Sequence, residues 1–201
     1  MKFWLSKFAY LPIILLFIIF FVVWVYFGFS LVLLILIIFA IFLYRKKHNK
    51  IICDDDKAIL APIAGKITNI DNIEHNELGE CLQIIIQNSI LDEGVIYANS
   101  NMNIENIRFR HGFFGFKKLS NLSERVFITA KNNNIKFAMR IIIGSLSRRV
   151  KLCKNLKNLK VGDEMGFSIN STIVLLLPKN TRLLINTGDK VKSCDLLGYF
   201  E

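Results

Sequence analysis

The stretch Phe8–Tyr44, FAYLPIILLFIIFFVVWVYFGFSLVLLILIIFAIFLY, decides how the rest of the chain is read. It runs for 37 residues without a charged side chain, between Lys2 and Lys7 on one side and Arg45, Lys46 and Lys47 on the other. A bilayer core of about 30 Å is crossed by about 20 apolar helical residues. The run is therefore too long for one upright helix and suits two short ones. Gly28-Phe29-Ser30 divides it, just after Trp24, Tyr26 and Phe27, aromatic types that favour the membrane–water interface. The pattern predicts a helix over Phe8–Phe27, a tight turn near Gly28 and a second helix over Leu31–Tyr44. Backbone polar groups inside lipid must be paired internally, which forces helices. Basic residues at both outer ends place both ends on the cytoplasmic side, which a hairpin satisfies and a single span does not. A single, steeply tilted helix is the alternative, and it would put the remainder on the opposite side from Lys2. A cleavable signal peptide fits poorly, because the apolar region far exceeds about 15 residues and no small-residue cleavage site follows.

The remainder, 45–201, is long enough for one compact domain. All 16 acidic residues and 24 of the 26 basic ones lie in it, leaving it at +8. That charge confers solubility and attracts an anionic leaflet. The bases are scattered and no recognition motif occurs, so nucleic acid is not an expected partner. Cys53, Cys81, Cys153 and Cys194 are widely spaced, with no CxxC. This excludes the usual zinc patterns and points to reduced thiols in a cytosol. His48, His75 and His111 are equally dispersed, and Asp54-Asp55-Asp56 reads as a solvated linker, so no metal is expected.

Past the linker the chain reads as short strands separated by turns. Gly65–Ile70 alternates, Cys81–Gln87 (CLQIIIQ) is a buried strand, and Ile104–Phe109 and Val126–Ala130 alternate. Asn132-Asn133-Asn134 turns the chain into Ile135–Ile143, Lys160–Gly162 is a turn, and Thr172–Leu177 is a strongly apolar strand stopped by Pro178. The Leu122–Arg125 region is expected to be helical at its edge. Strands at this spacing argue for an all-β sandwich or barrel. The expected architecture is a transmembrane helical hairpin (1–44), a polar linker (45–57) and a β-rich domain (58–201). No glycine-rich phosphate loop, GxSxG or HExxH occurs.

Several phrases, in order, resemble the phosphatidylserine decarboxylase family of the short, membrane-hairpin bacterial and archaeal type. They are Tyr44-Arg45, the segment Asp54–Ile67 with Pro62-Ile63-Ala64-Gly65, His111-Gly112-Phe113-Phe114, Ser123-Glu124-Arg125, Ile143–Val150, Val161–Gly166 and Gly188-Asp189-Lys190-Val191. The resemblance covers nearly the whole chain. It implies a proenzyme that cuts itself at a Gly-Ser bond and turns the serine into an N-terminal pyruvoyl group. That group condenses with the substrate amine and acts as an electron sink for loss of CO₂, converting phosphatidylserine to phosphatidylethanolamine. The family's serine lies seven residues before a proline that ends an apolar strand. Here Ser171 stands seven residues before Pro178, which makes it the candidate pyruvoyl precursor and Asn170 the residue before the candidate scissile bond. The resemblance further implies a membrane phospholipid as partner and a bacterial inner membrane with the β domain on its cytoplasmic side. It also implies a larger and a smaller subunit after cleavage, or a homo-oligomer. Arg148 and Arg149 are candidate contacts for the lipid phosphate, where a guanidinium fork suits the oxygens; the other reading is a solvated pair at a strand end.

Three positions depart from the family. Asn170 replaces the glycine that reaches unusual backbone angles at least cost, although Asn tolerates left-handed φ better than most residues. Ala64 replaces the aspartate of the family's Pro-Ala-Asp-Gly turn. Val95 stands where its histidine falls, within Glu93–Ala98. A base that deprotonates Ser171 must lie within hydrogen-bond reach. Two functions follow: a decarboxylase cut before Ser171, or a non-catalytic relative that serves as a membrane-anchored lipid- or protein-binding module with an intact chain.

Overall fold

The structure, a computed structural model, describes residues 5–46, 55–112, 123–144 and 150–201. The chain divides into two compact units, Met1–His48 and Asn49–Glu201.

The first unit is a helical hairpin of α1 (Tyr10–Phe27) and α2 (Leu31–Leu43). Gly28 adopts φ 87° and its N–H donates to the Trp24 carbonyl at 3.1 Å, ending α1 where only glycine turns cheaply. Leu5 bridges Arg45 in antiparallel fashion, and the Ser6 N–H donates to the Tyr44 carbonyl at 3.1 Å. The two ends of the apolar run thus lie side by side, which excludes the single tilted helix. Ile13 and Ile37 are the buried side chains of the two helices, and most others are exposed. With 18 residues α1 is long and apolar enough to cross a membrane. The 13 residues of α2 span only about 20 Å.

Among its described residues the second unit is all-β, with fourteen strands in three sheets. Its strands are β1 (Ala58–Leu60), β2 (Gly65–His75), β3 (Gly79–Gln87), β4 (Val95–Tyr97), β5 (Met102–Arg110), β6 (Arg125–Asn132) and β7 (Ile135–Ile142). They continue with β8 (Lys151–Leu152), β9 (Asn158–Leu159), β10 (Glu164–Phe167), β11 (Thr172–Pro178), β12 (Arg182–Leu183), β13 (Lys190–Val191) and β14 (Leu196–Tyr199). The main sheet has eight strands in the order β13-β2-β3-β11-β7-β6-β5-β9, and two three-stranded sheets, β1-β14-β12 and β4-β10-β8, complete the unit. The expected helical edge near Arg125 is absent: Arg125 opens β6, and its β-paired neighbours prevail over local preference. Leu122 lies outside the described residues.

The strand β11 sits near the middle of the main sheet, antiparallel to β3 and β7. Ile173, Leu175 and Leu177 face the main core with Ile84, Ile86 and Ile141. Val174 and Leu176 face a second, smaller core with Cys81, Ala138 and Ile142. Burial on both faces explains why this strand reads as an unbroken apolar run. The β2–β3 hairpin reaches across that second face. The His75 ring stacks on Phe127 of β6 at 5.5 Å, and Glu77 pairs with Arg108 of β5.

Candidate functional site

The residue that opens the site is Ser171, immediately before β11. It is fully buried, and its Oγ has no hydrogen-bond partner among the described residues; the same holds for Ser168 Oγ and Thr172 Oγ1. The preceding residue, Asn170, has φ 54°, in the left-handed region that non-glycine residues rarely enter. The Asn170–Ser171 bond therefore follows a residue held at a backbone angle that costs energy for any side chain but glycine.

Two contacts hold that turn. The first is Asn88, one residue past β3. Its Oδ1 accepts from the Asn170 N–H at 3.0 Å, and its Nδ2 donates to the carbonyls of Ala64 (2.8 Å) and Glu93 (2.9 Å). Its backbone N–H donates to the Ser171 carbonyl at 2.9 Å. Both ends of one buried amide are thus engaged, and they tie three distant segments to the candidate bond. The second contact is Gly144, just past β7. A Cβ placed there would lie 1.5 Å from the Asn170 carbonyl oxygen, so no other residue allows this approach.

Farther along the same wall, the Ser168 N–H donates to the Gly94 carbonyl at 2.8 Å. The adjacent Glu93 is buried and accepts from Tyr97 Oη at 2.6 Å and from Ser193 Oγ at 3.3 Å. Burial raises the Tyr97 phenol far above its ordinary range, and the charge of Glu93 and its hydrogen bond add to that effect. Tyr97 is therefore a fixed proton donor to Glu93 and no base at neutral pH.

The sequence candidates fare differently. Ser171 and Asn170 are brought against Asn88, and Asn170 against Gly144. Ala64 contributes its carbonyl to the Asn88 amide but no carboxylate. Val95 is buried on β4 opposite Phe167. His75 is taken up by Phe127, and His111 lies exposed beyond β5. Arg148 and Arg149 lie outside the described residues. The phrases singled out in the sequence nevertheless converge. Ile143 donates to the Glu124 carbonyl at 3.1 Å, and Gly162 to the Ala98 carbonyl at 3.0 Å. Thr172 stands opposite Ile142, which stands opposite Arg125, so the arginine of Ser123-Glu124-Arg125 shares a sheet face with Thr172. Sequence reasoning missed Asn88 and the Glu93–Tyr97–Ser193 group, whose partners are remote in sequence. Gly144 carried a signal: a glycine closing a strand marks a close backbone approach.

A pyruvoyl group derived from Ser171 would find the hydroxyls of Ser168 and Thr172, both buried without partners, on either side of it in sequence. Buried donors in that condition fit a small carbonyl acceptor.

The comparisons with known proteins agree with this convergence. The family model for phosphatidylserine decarboxylase matches residues 38–199. A protein of Parabacteroides distasonis named phosphatidylserine decarboxylase proenzyme is 29% identical over 157 residues, covering 74% of this chain and 71% of that protein. One of the same name from Porphyromonas gingivalis is 27% identical over 179 residues, covering 81% of each. Another, from Syntrophus aciditrophicus, is 26% identical over 148 residues, covering 70% of each. No solved structure matches. With four separated segments meeting at one buried Asn-Ser turn and the family model spanning most of its length, this chain belongs to the phosphatidylserine decarboxylase family.

Proposed function

We propose that this protein is a membrane-attached phosphatidylserine decarboxylase that makes its own pyruvoyl group from Ser171. The observation that carries this reading is the left-handed turn at Asn170, kept although the family's glycine is gone. The hydroxyl of Ser171 attacks the carbonyl carbon of Asn170 and the amide C–N bond breaks, leaving an ester and a free Ser171 amine; strain in that turn favours the attack. Elimination then breaks the Oγ–Cβ bond and releases the N-terminal piece with a carboxylate at Asn170, and water converts the remaining dehydroalanine to the pyruvoyl carbonyl with loss of ammonia. Asn88 fixes the amide on one side of Asn170 and the carbonyl of Ser171 on the other, while Gly144 leaves room for the Asn170 carbonyl. Burial keeps water from the bond until the shift is complete. The pyruvoyl carbonyl, once made, supplies the electron sink for loss of CO₂ from the bound serine headgroup. Cleavage would leave the C-terminal piece with β11, which is hydrogen-bonded on both edges, so the larger and smaller subunits stay together.

In this reading the helical hairpin (1–44) anchors the chain in a bacterial inner membrane, the linker (45–57) follows, and the β-rich domain (58–201) works at the cytoplasmic face. Arg148 and Arg149 are proposed contacts for the phosphate. Two observations favour a second reading, a non-catalytic lipid- or protein-binding relative: among the described residues no base is hydrogen-bonded to Ser171 Oγ, and Val95 stands where the family resemblance places a histidine.

Intact mass of the purified, detergent-solubilised chain separates the two. A fragment from 171 to 201 with a blocked, pyruvoyl N-terminus supports the decarboxylase. A single uncut chain of 201 residues overturns self-processing and supports the binding module.

A further inference from the structure

Beside β5 the second unit holds a groove of about 530 Å³, within the roughly 300–1,000 Å³ typical of small-molecule sites. Its floor is apolar. Ile104, Ile107 and Phe109 line it from β5, and Val150, Leu152 and Leu156 from the segment that crosses it. The three β5 residues stand opposite Ala130, Ile128 and Val126, so they lie on the core face of the sheet. The neighbouring strand β9 is only two residues long and pairs with Met102 and Asn103, at the far end of β5 from Phe109. Phe109 is 51% exposed.

The rim has a definite charge. Glu105 is held by Lys131 at 2.5 Å, which also lowers the pKa of its carboxyl. Lys154 and Lys157 have no ion pair among the described residues. An apolar floor under two free cations complements a molecule with a hydrocarbon tail and an anionic head. The wall of the groove and the candidate site are joined by a short stretch of chain. Its wall strand β8 pairs Lys151 with Phe167, and the chain reaches Ser171 four residues later.

We infer that this groove takes one acyl chain of an anionic phospholipid, with the phosphate against Lys154 and Lys157. The identification of that lipid as the decarboxylase substrate rests on the function proposed above; the groove itself does not depend on cleavage at Ser171. Sliding one chain out of the bilayer into the groove would keep the headgroup on the protein side of the interface.

The test is photo-crosslinking of the full chain in vesicles that contain phosphatidylserine with a diazirine on one acyl chain, followed by peptide mapping. Labels are expected in 104–109 and 150–157, besides those in the helices. The exposed-site variants Phe109→Asp and Lys154→Glu/Lys157→Glu should each lower the groove label roughly tenfold, equivalent to about 1.4 kcal/mol. Both should leave the helix label unchanged. With a phosphatidylcholine probe the lysine variant should have a smaller effect than with phosphatidylserine. A Ser171→Ala chain, which cannot form pyruvoyl, should label as well as the parent, so loss of catalysis and loss of the groove are read separately. Labels confined to α1 and α2, or a groove label indifferent to both variants, overturn the inference.

Discussion

Asn133 and Asn170 hold nearly the same backbone angle, φ 51° and 54°, for different reasons. Asn133 is exposed and belongs to the two-residue turn between β6 and β7, where Asn132 opposes Ile135. A hairpin of that length demands positive φ, and asparagine is one of the residues that supply it. Asn170 is 8% exposed and closes no hairpin. Its angle is imposed from outside, by the Asn88 amide and by Gly144 against its carbonyl. The first conformation is a local preference expressed. The second is a local cost sustained by tertiary structure, as expected where strain is put to chemical use.

The sharpest way to break that difference is Gly144→Ala. The new methyl carbon would overlap the Asn170 carbonyl oxygen. Denaturant unfolding of the β unit should show a loss of about 4 kcal/mol or more, the range of severe steric lesions, and cleavage at Ser171 should cease. Asn88→Ala comes next. It removes the Asn88 side-chain bonds to the Ala64 and Glu93 carbonyls and to the Asn170 N–H, at a cost of about 2–3 kcal/mol. No change at Asn133 should follow, and hydrogen exchange at the two turns checks this.

Tyr97 gives a smaller, pH-dependent effect. Its folded pKa is raised, so the stability it contributes is fully present below the unfolded value of about 10 and is lost as pH rises beyond it. Unfolding free energy should decline above pH 10 in the parent chain and decline less steeply in Tyr97→Phe. The gentlest comparison substitutes glycine at each asparagine. Asn133→Gly and Asn170→Gly should each change stability by less than about 1 kcal/mol. Only Asn170→Gly should speed the appearance of the fragment from 171 to 201, as followed by mass spectrometry.

The parts of the fold that were legible in the sequence are those written in local chemistry. The helices end within two residues of their expected limits because Gly28 and the flanking charges bound an apolar run. The Asn132–Asn134 turn and the strand stopped at Pro178 were legible for the same reason: a turn residue or a missing N–H acts where it stands. Ser171 was singled out through the family resemblance, which puts the serine seven residues before a proline that ends an apolar strand. Asn88 was not, since it looks like any polar residue after a strand, and its role arises 82 positions away. Glu93 and Ser193 are 100 positions apart. The absence of a helix at Arg125 has the same origin, because β6 is defined by neighbours in the sheet.

The main sheet ends on β13 and β9, each two residues long. A strand edge is a template on which another chain can add, and long unprotected edges lead to aggregation. Here β13 covers only Gly65 and Lys66 of β2, and β9 covers only Met102 and Asn103 of β5, so each long strand behind them carries its own outer edge for most of its length. A bulge interrupts each of these edges, at Ile67/Asn69 in β2 and at Ile104/Asn106 in β5, and the twist it adds is what discourages two copies from joining sheet to sheet.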